Sequence, residues 1–189
     1  MLTNRERVVR LTTLAILIAI ITLMTFVPNL GYLQIGTLSI TTLHVPVIIG
    51  SAFLGPLGGF VLGITWGFTS WLKVMTTVVN PIEFALFSNP LISILPRILV
   101  GLMVAYGSPL ISKWVHKTSL KYAILAFVGT LSNTILVLGA IGLFSAGTLF
   151  PQSQTLSIIL ITILSTNGLT EIILAMILVP AIMARLPRK

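Results

Sequence analysis

The chain has 189 residues, 56% hydrophobic and only 7% charged, with a mean hydropathy of +1.12. Soluble domains carry roughly a quarter charged residues, whereas this chain has no Asp and only three acids, Glu6, Glu83 and Glu171. A soluble fold is excluded, because the uncharged stretches from Leu11 to Leu72 and from Tyr122 to Thr170 read as membrane-spanning helices. The expected fold is an all-α integral membrane protein with residues 1–189 forming a single domain.

Lys and Arg number 11, for a formal net charge of +8. They lie at segment ends, which assigns them to orientation and headgroup anchoring rather than to nucleic acid. The absence of Cys excludes disulfides, thiol catalysis and thiolate metal sites. His44 and His116 are far apart with no Asp near either, so no metal centre is expected. No Gly-x-x-x-x-Gly-Lys-Ser/Thr run occurs, so ATP is not held here by a P-loop.

Arg5, Arg7 and Arg10 precede the first apolar run, Leu11 to Val27. It is long for a signal-peptide core and no Ala-x-Ala site follows, so it is read as a retained first span ending at Pro28. From Pro28 to Thr42 the pattern changes. Tyr32–Ile35 and Thr37–Ile40 alternate with a period of two, which predicts short extended pieces around Gly36. Such a segment has to sit at the surface or plug a cavity, because open backbone is not tolerated in lipid.

The stretch from Ile40 to Val79 holds one helix or two, divided at Leu54-Gly55-Pro56-Leu57-Gly58-Gly59. Later spans are expected at Pro90–Ile111, Tyr122–Phe144 and Leu156–Met183. A break at Gly55-Pro56 makes six spans with both termini cytoplasmic. Arg5, Arg7, Arg10, Lys113, Lys117, Lys121, Arg185, Arg188 and Lys189 then share the inner side, and Lys73 marks an outer boundary. The second span, from about Ile40 to Leu54, would be about 22 Å long, short of a ~30 Å hydrocarbon core. A short helix beneath a polar loop leaves a dent on the outer side. Its walls would be the loops Pro28–Thr42, Asn80–Asn89 and Ser145–Gln154.

Gly55, Gly59, Gly63 and Gly67, with Ser51 in register, form a small-residue stripe suited to close helix packing, internal or with a partner. Ala15 and Ala19 form a second such pair on the first span. Asn133 and Asn167 lie near the middle of the fifth and sixth spans, where their amides suit either ligand recognition or interhelical hydrogen bonding. Arg97 interrupts the fourth span, and Glu171 is its candidate ion-pair partner. Glu83, followed by Phe84, sits in the outer Asn80–Asn89 loop. It is placed to accept hydroxyls of a ligand while the ring packs on it, or else to meet Lys73. No nucleophile–base–orienter set can be assembled, so no enzymatic activity is expected.

Taken together, Ala15-Ile16-Leu17-Ile18-Ala19, His44-Val45-Pro46, Leu54-Gly55-Pro56-Leu57-Gly58-Gly59 and Leu95-Pro96-Arg97-Ile98-Leu99-Val100-Gly101-Leu102 carry a resemblance. Over nearly its full length the chain is similar to the substrate-binding S components of energy-coupling factor (ECF) vitamin transporters. It most resembles the riboflavin-specific members. The resemblance implies six helices and a cell-membrane location. It implies a vitamin bound near the extracellular side under a capping loop between the first two helices. It also implies a transmembrane T component and two cytoplasmic ATPases as partners, with Ala15 and Ala19 at the T-component face. Glu83, Phe84, Asn133 and Asn167 map onto ligand-contacting positions.

Riboflavin, as transported ligand rather than cofactor, is the expected substrate. Its tricyclic ring suits Phe and Leu walls, Leu38 among them, and its uracil-like edge suits Asn amides. The ribityl tail suits Glu83 and the Thr41 and Thr42 hydroxyls. The outer loops carry no strong cationic cluster, which makes an anionic vitamin the less natural ligand. The alternatives are another water-soluble vitamin, or a free-standing secondary transporter. The lack of a string of carboxylates for ion coupling argues against the latter.

Overall fold

A computed structural model describes residues 3–35, 38–77, 81–145 and 168–185, with the side chains of 34, 35, 38, 39, 82 and 145 left aside. Helices carry the fold. The first, α1 (Asn4–Phe26), opens on a capping box: the Thr3 amide donates to Glu6 Oε2 at 2.9 Å and the Glu6 amide to Thr3 Oγ1 at 3.3 Å. Glu6 is therefore a helix cap among the N-terminal arginines. Pro28, which cannot continue the ladder, follows the end of α1.

Two strands, β1 (Tyr32–Ile35) and β2 (Leu38–Thr41), pair antiparallel with Tyr32 opposite Thr41 and Leu33 opposite Ile40. The two-residue period thus produces a hairpin, with the second strand one residue later than expected. It is the β structure of an otherwise helical chain, among the described residues. Helix α2 (His44–Leu54) is 11 residues, about 16 Å at 1.5 Å per residue, and nine of them are buried. It is apolar nearly all round, as a helix enclosed by others must be, and it packs on α1 and on four later helices. Gly55 (φ 78°) takes a conformation that residues with a Cβ adopt with strain, and Pro56 starts α3 (Pro56–Thr76). The break between α2 and α3 falls where the Gly-Pro dipeptide places it.

The expected outer loop Asn80–Asn89 is largely helical instead: α4 (Pro81–Phe87) has seven residues. Asn89 then caps α5 (Pro90–Ser93), its Oδ1 accepting from the Leu91 amide at 3.0 Å. Helices α6 (Leu95–Trp114), α7 (Thr118–Ser145) and α8 (Leu169–Met183) complete the described bundle. Three described stretches are long and apolar enough to cross a membrane, Asn4–Phe26, Pro90–Trp114 and Thr118–Phe144; α2 and α8 are shorter apolar helices. The start expected for the last span, Leu156, and the loop Ser145–Gln154 fall almost wholly in 146–167, outside the described residues.

The glycine stripe is an internal packing surface. A Cβ on Gly59 would strike the Gly101 carbonyl, one on Gly63 the Arg97 carbonyl, and one on Gly67 would lie 2.7 Å from Ile94 Cα. Only hydrogen fits between these backbones, so α3 and the α5–α6 segment touch main chain to main chain. Helix α7 runs antiparallel to α6. A Cβ on Gly129 would meet Val104, while Ile92 shares a buried cluster with Val137, Ala140 and Ile141.

Candidate ligand chamber

Arg97 sits in the first turn of α6 and is 8% exposed. Its Nη1 donates to the Ile92 carbonyl at 2.8 Å, and its guanidinium carbon lies 5.5 Å from the Trp66 ring centroid and 5.3 Å from that of Phe87. Both distances are within cation–π range. Nε closes no hydrogen bond. The described partners of this buried cation are thus a carbonyl and two rings rather than a carboxylate. Trp66 comes from α3 beside Gly63 and Gly67, and Phe87 from the end of α4, so three elements converge on one guanidinium.

The expected Arg97–Glu171 ion pair does not form among the described residues. Glu171 is buried in the first turn of α8, and its Oε1 accepts from the Thr41 amide at 2.7 Å. A two-stranded hairpin leaves outward-facing amides without ladder partners. The strand β2 presents one of them to α8, so the carboxylate is taken by the hairpin while Arg97 turns toward α3 and α4. Glu171 acts on Arg97 only at longer range. His44, at the start of α2, is fully buried, and neither of its ring nitrogens closes a hydrogen bond among the described residues.

The other strand is fixed to α3. The Tyr32 hydroxyl pairs with Ser70 Oγ at 2.8 Å, and Lys73 Nζ lies 3.5 Å from the Tyr32 ring centroid. Burial raises the Tyr32 phenol above its ordinary value. Lys73, expected at an outer boundary, therefore lies at the hairpin end of the bundle, where Glu83 on α4 attracts it. Tyr32 also packs in the same apolar cluster as Trp66, whose ring faces the Arg97 guanidinium. On α5 and α7 several buried polar atoms have no hydrogen-bond partner among the described residues: Ser93 Oγ, Thr130 Oγ1 and Asn133 Oδ1. Buried polar groups are normally paired, and an unpaired set on adjoining helices is what a polar ligand would satisfy. Among the described residues no group of His, Cys, Asp or Glu is placed to hold a metal ion.

The sequence-derived candidates divide accordingly. Glu171 grips the hairpin, Arg97 lies between Trp66 and Phe87, Glu83 acts on Lys73, and Asn133 is buried on α7 with its Oδ1 unpaired. The Thr41 and Thr42 hydroxyls are engaged inside the loop: Thr41 Oγ1 donates to the Gly31 carbonyl at 3.3 Å and Thr42 Oγ1 to the Leu30 carbonyl at 3.2 Å. Phe84 is 49% exposed, and Phe87, one turn later, is the ring that reaches the cation. Leu38 has its backbone in β2, but its side chain, like the whole of Asn167, lies outside the described residues. Ala15 and Ala19 are exposed on one face of α1. Tyr32, Trp66, Ser70 and Phe87 were not singled out from sequence. Phe87 lies in the same aromatic segment as Phe84, and Trp66 lies between two stripe glycines; only helix phase distinguishes them.

The described residues thus form an apolar helical bundle with long membrane-crossing helices and a short hairpin packed on it. Residues 9–183 match the family model described as ECF transporter, substrate-specific component, and the chain belongs to that family. It is a multi-pass cell-membrane protein of a transport family. It is 40% identical over 162 aligned residues, 78% of each chain, to the pantothenic acid transporter PanT of Lactococcus lactis subsp. cremoris (strain MG1363). It is 31% identical over 193 aligned residues to the pantothenate transporter PanT of Leuconostoc mesenteroides subsp. mesenteroides, covering 95% of this chain and 91% of that one. These relatives are named for pantothenate rather than for riboflavin, the vitamin expected from the sequence.

Proposed function

We propose that this chain is a pantothenate-binding S component. It takes the vitamin from the extracellular side into a chamber beneath the hairpin and delivers it inward with a transmembrane T component and two cytoplasmic ATPases. In this reading both termini are cytoplasmic and six spans cross the membrane. Pantothenate, the vitamin of the relatives' names, replaces riboflavin here.

The observation that carries the choice of vitamin is Arg97. A buried guanidinium whose described partners are neutral is costly unless an anion completes it. Pantothenate brings one carboxylate, and the guanidinium edge bearing Nε suits carboxylate binding. The rest of the vitamin, an amide with two hydroxyls and a gem-dimethyl group, supplies donors and acceptors for Asn133, Thr130 and Ser93 and apolar surface for Trp66 and Phe87. Riboflavin is uncharged and would leave Arg97 uncompensated. The loops do lack a cationic cluster, but the cation lies below them.

The test is equilibrium binding of radiolabelled pantothenate to the purified protein, with unlabelled pantothenate, its uncharged alcohol analogue panthenol (CH2OH in place of the carboxylate), and riboflavin as competitors. Competition by pantothenate alone is expected. Displacement by riboflavin, or equal displacement by panthenol, would overturn the reading.

A further inference from the structure

We infer that Glu171 is the positioning residue that holds the hairpin closed, and that it sets how fast the ligand leaves rather than how the ligand is contacted. The inference rests on the reading of the chamber as the pantothenate site. A hairpin of two four-residue strands does not hold itself in place. Its base is joined by the Thr42 amide donating to the Gly31 carbonyl at 2.9 Å, and its position over the chamber depends on what each strand grips. On the β1 side, Tyr32 is held to α3 by its hydroxyl bond to Ser70 and by Lys73 over its ring. On the β2 side, the described side-chain grip on α8 is the bond from the Thr41 amide to Glu171, at 2.7 Å a charge-assisted length. The hairpin is thus a strap between α3 and α8, both of which pack on α2. Among the described contacts, the β1 side is fastened by a hydroxyl bond and a cation–ring contact, and the β2 side by the Glu171 bond.

The carboxylate is 6% exposed, and the oxygen that grips the strand is already committed. Opening the strap on the β2 side would break this bond and admit water to the buried Glu171 carboxylate. That edge is therefore the one the ligand's escape depends on.

Two measurements on the full chain in lipid nanodiscs test this. The first is dissociation of radiolabelled pantothenate from wild type, Glu171→Ala and Glu171→Gln. Loss of the clasp is expected to speed dissociation about tenfold while association changes by no more than about twofold, whereas Gln, whose amide oxygen still accepts from Thr41, stays within about threefold of wild type. The second is amide hydrogen exchange of the ligand-free protein. In Glu171→Ala, exchange is expected to rise in peptides covering residues 38–44 and to stay unchanged in α6 and α7. Unchanged dissociation with unchanged hairpin exchange would overturn the inference. So would Gln as damaging as Ala without a change in hairpin exchange, since the charge would then be acting on the ligand itself. If wild type binds no pantothenate, the ligand reading fails alone and the exchange measurement decides the clasp.

Discussion

The Arg97 guanidinium lies 5.5 Å from the Trp66 ring because the helices bearing the two residues touch backbone to backbone, with Gly63 admitting the Arg97 carbonyl. A side chain at Gly63 would push α6 away from α3 and take the cation off the ring. The glycine stripe thereby serves the placement of the cation as well as the bundle.

Arg97→Ala is expected to weaken pantothenate binding by about 2–5 kcal/mol, the range for removing one member of a buried charge pair. Arg97→Lys restores only part of it, because an ammonium lacks the planar fork. Isothermal titration calorimetry measures both, and wild-type affinity in the Ala variant would take Arg97 out of the site.

Gly59→Ala is expected to lower stability by about 1–3 kcal/mol, since its methyl would strike the Gly101 carbonyl and crowd Ser51 Oγ. Gly139→Ala is the control. Nothing lies within 4 Å of its added Cβ, so the change should be neutral or stabilising by about 0.5–1 kcal/mol. Denaturation midpoints in detergent compare them, and equal effects would mean that α3 and α6 are not in backbone contact.

Tyr32→Phe removes the hydroxyl shared with Ser70 but keeps the ring under Lys73, with an expected cost of about 0.5–1.5 kcal/mol. Tyr32→Leu removes both and should add about 0.5–2 kcal/mol more. Hydrogen exchange across 30–35 reports the loss, and identical exchange in the two variants would argue that Lys73 contributes nothing.

Replacing Ala15 and Ala19 together by Trp fills the exposed face of α1 without entering the core. Pantothenate binding by the isolated subunit should remain within about twofold, while uptake and assembly with the T component and ATPases are lost. Retained uptake would favour the solitary-transporter reading.

Much of the fold is legible along the chain because it depends on near neighbours. The Gly55-Pro56 dipeptide sets the break between α2 and α3, and the alternation around Gly36 announces a hairpin to within a residue. The four-residue glycine spacing puts one smooth stripe on α3. The candidate site is less legible. Depth in two spans suggested that Arg97 and Glu171 would meet, but depth says nothing of azimuth, and each turns to a partner on another element. Phe84 and Phe87 are three residues apart in one short helix, yet one is exposed and one packs on the cation. The loop expected around them hid that helical phase. The Thr41 and Thr42 hydroxyls looked free for a ligand because their acceptors, the Gly31 and Leu30 carbonyls, belong to the far side of the hairpin.

Composition and charge placement alone determined that this is a membrane protein, and short-range pattern located its breaks and its hairpin, because burial in lipid and backbone geometry act residue by residue. The tertiary structure decided which few polar groups face one another. It gave Arg97 two rings and no described carboxylate, gave Glu171 a strand to hold, and left Asn133, Thr130 and Ser93 with buried atoms unpaired. Those pairings follow from how the helices are rotated and how closely the glycines let them approach, which no single segment specifies.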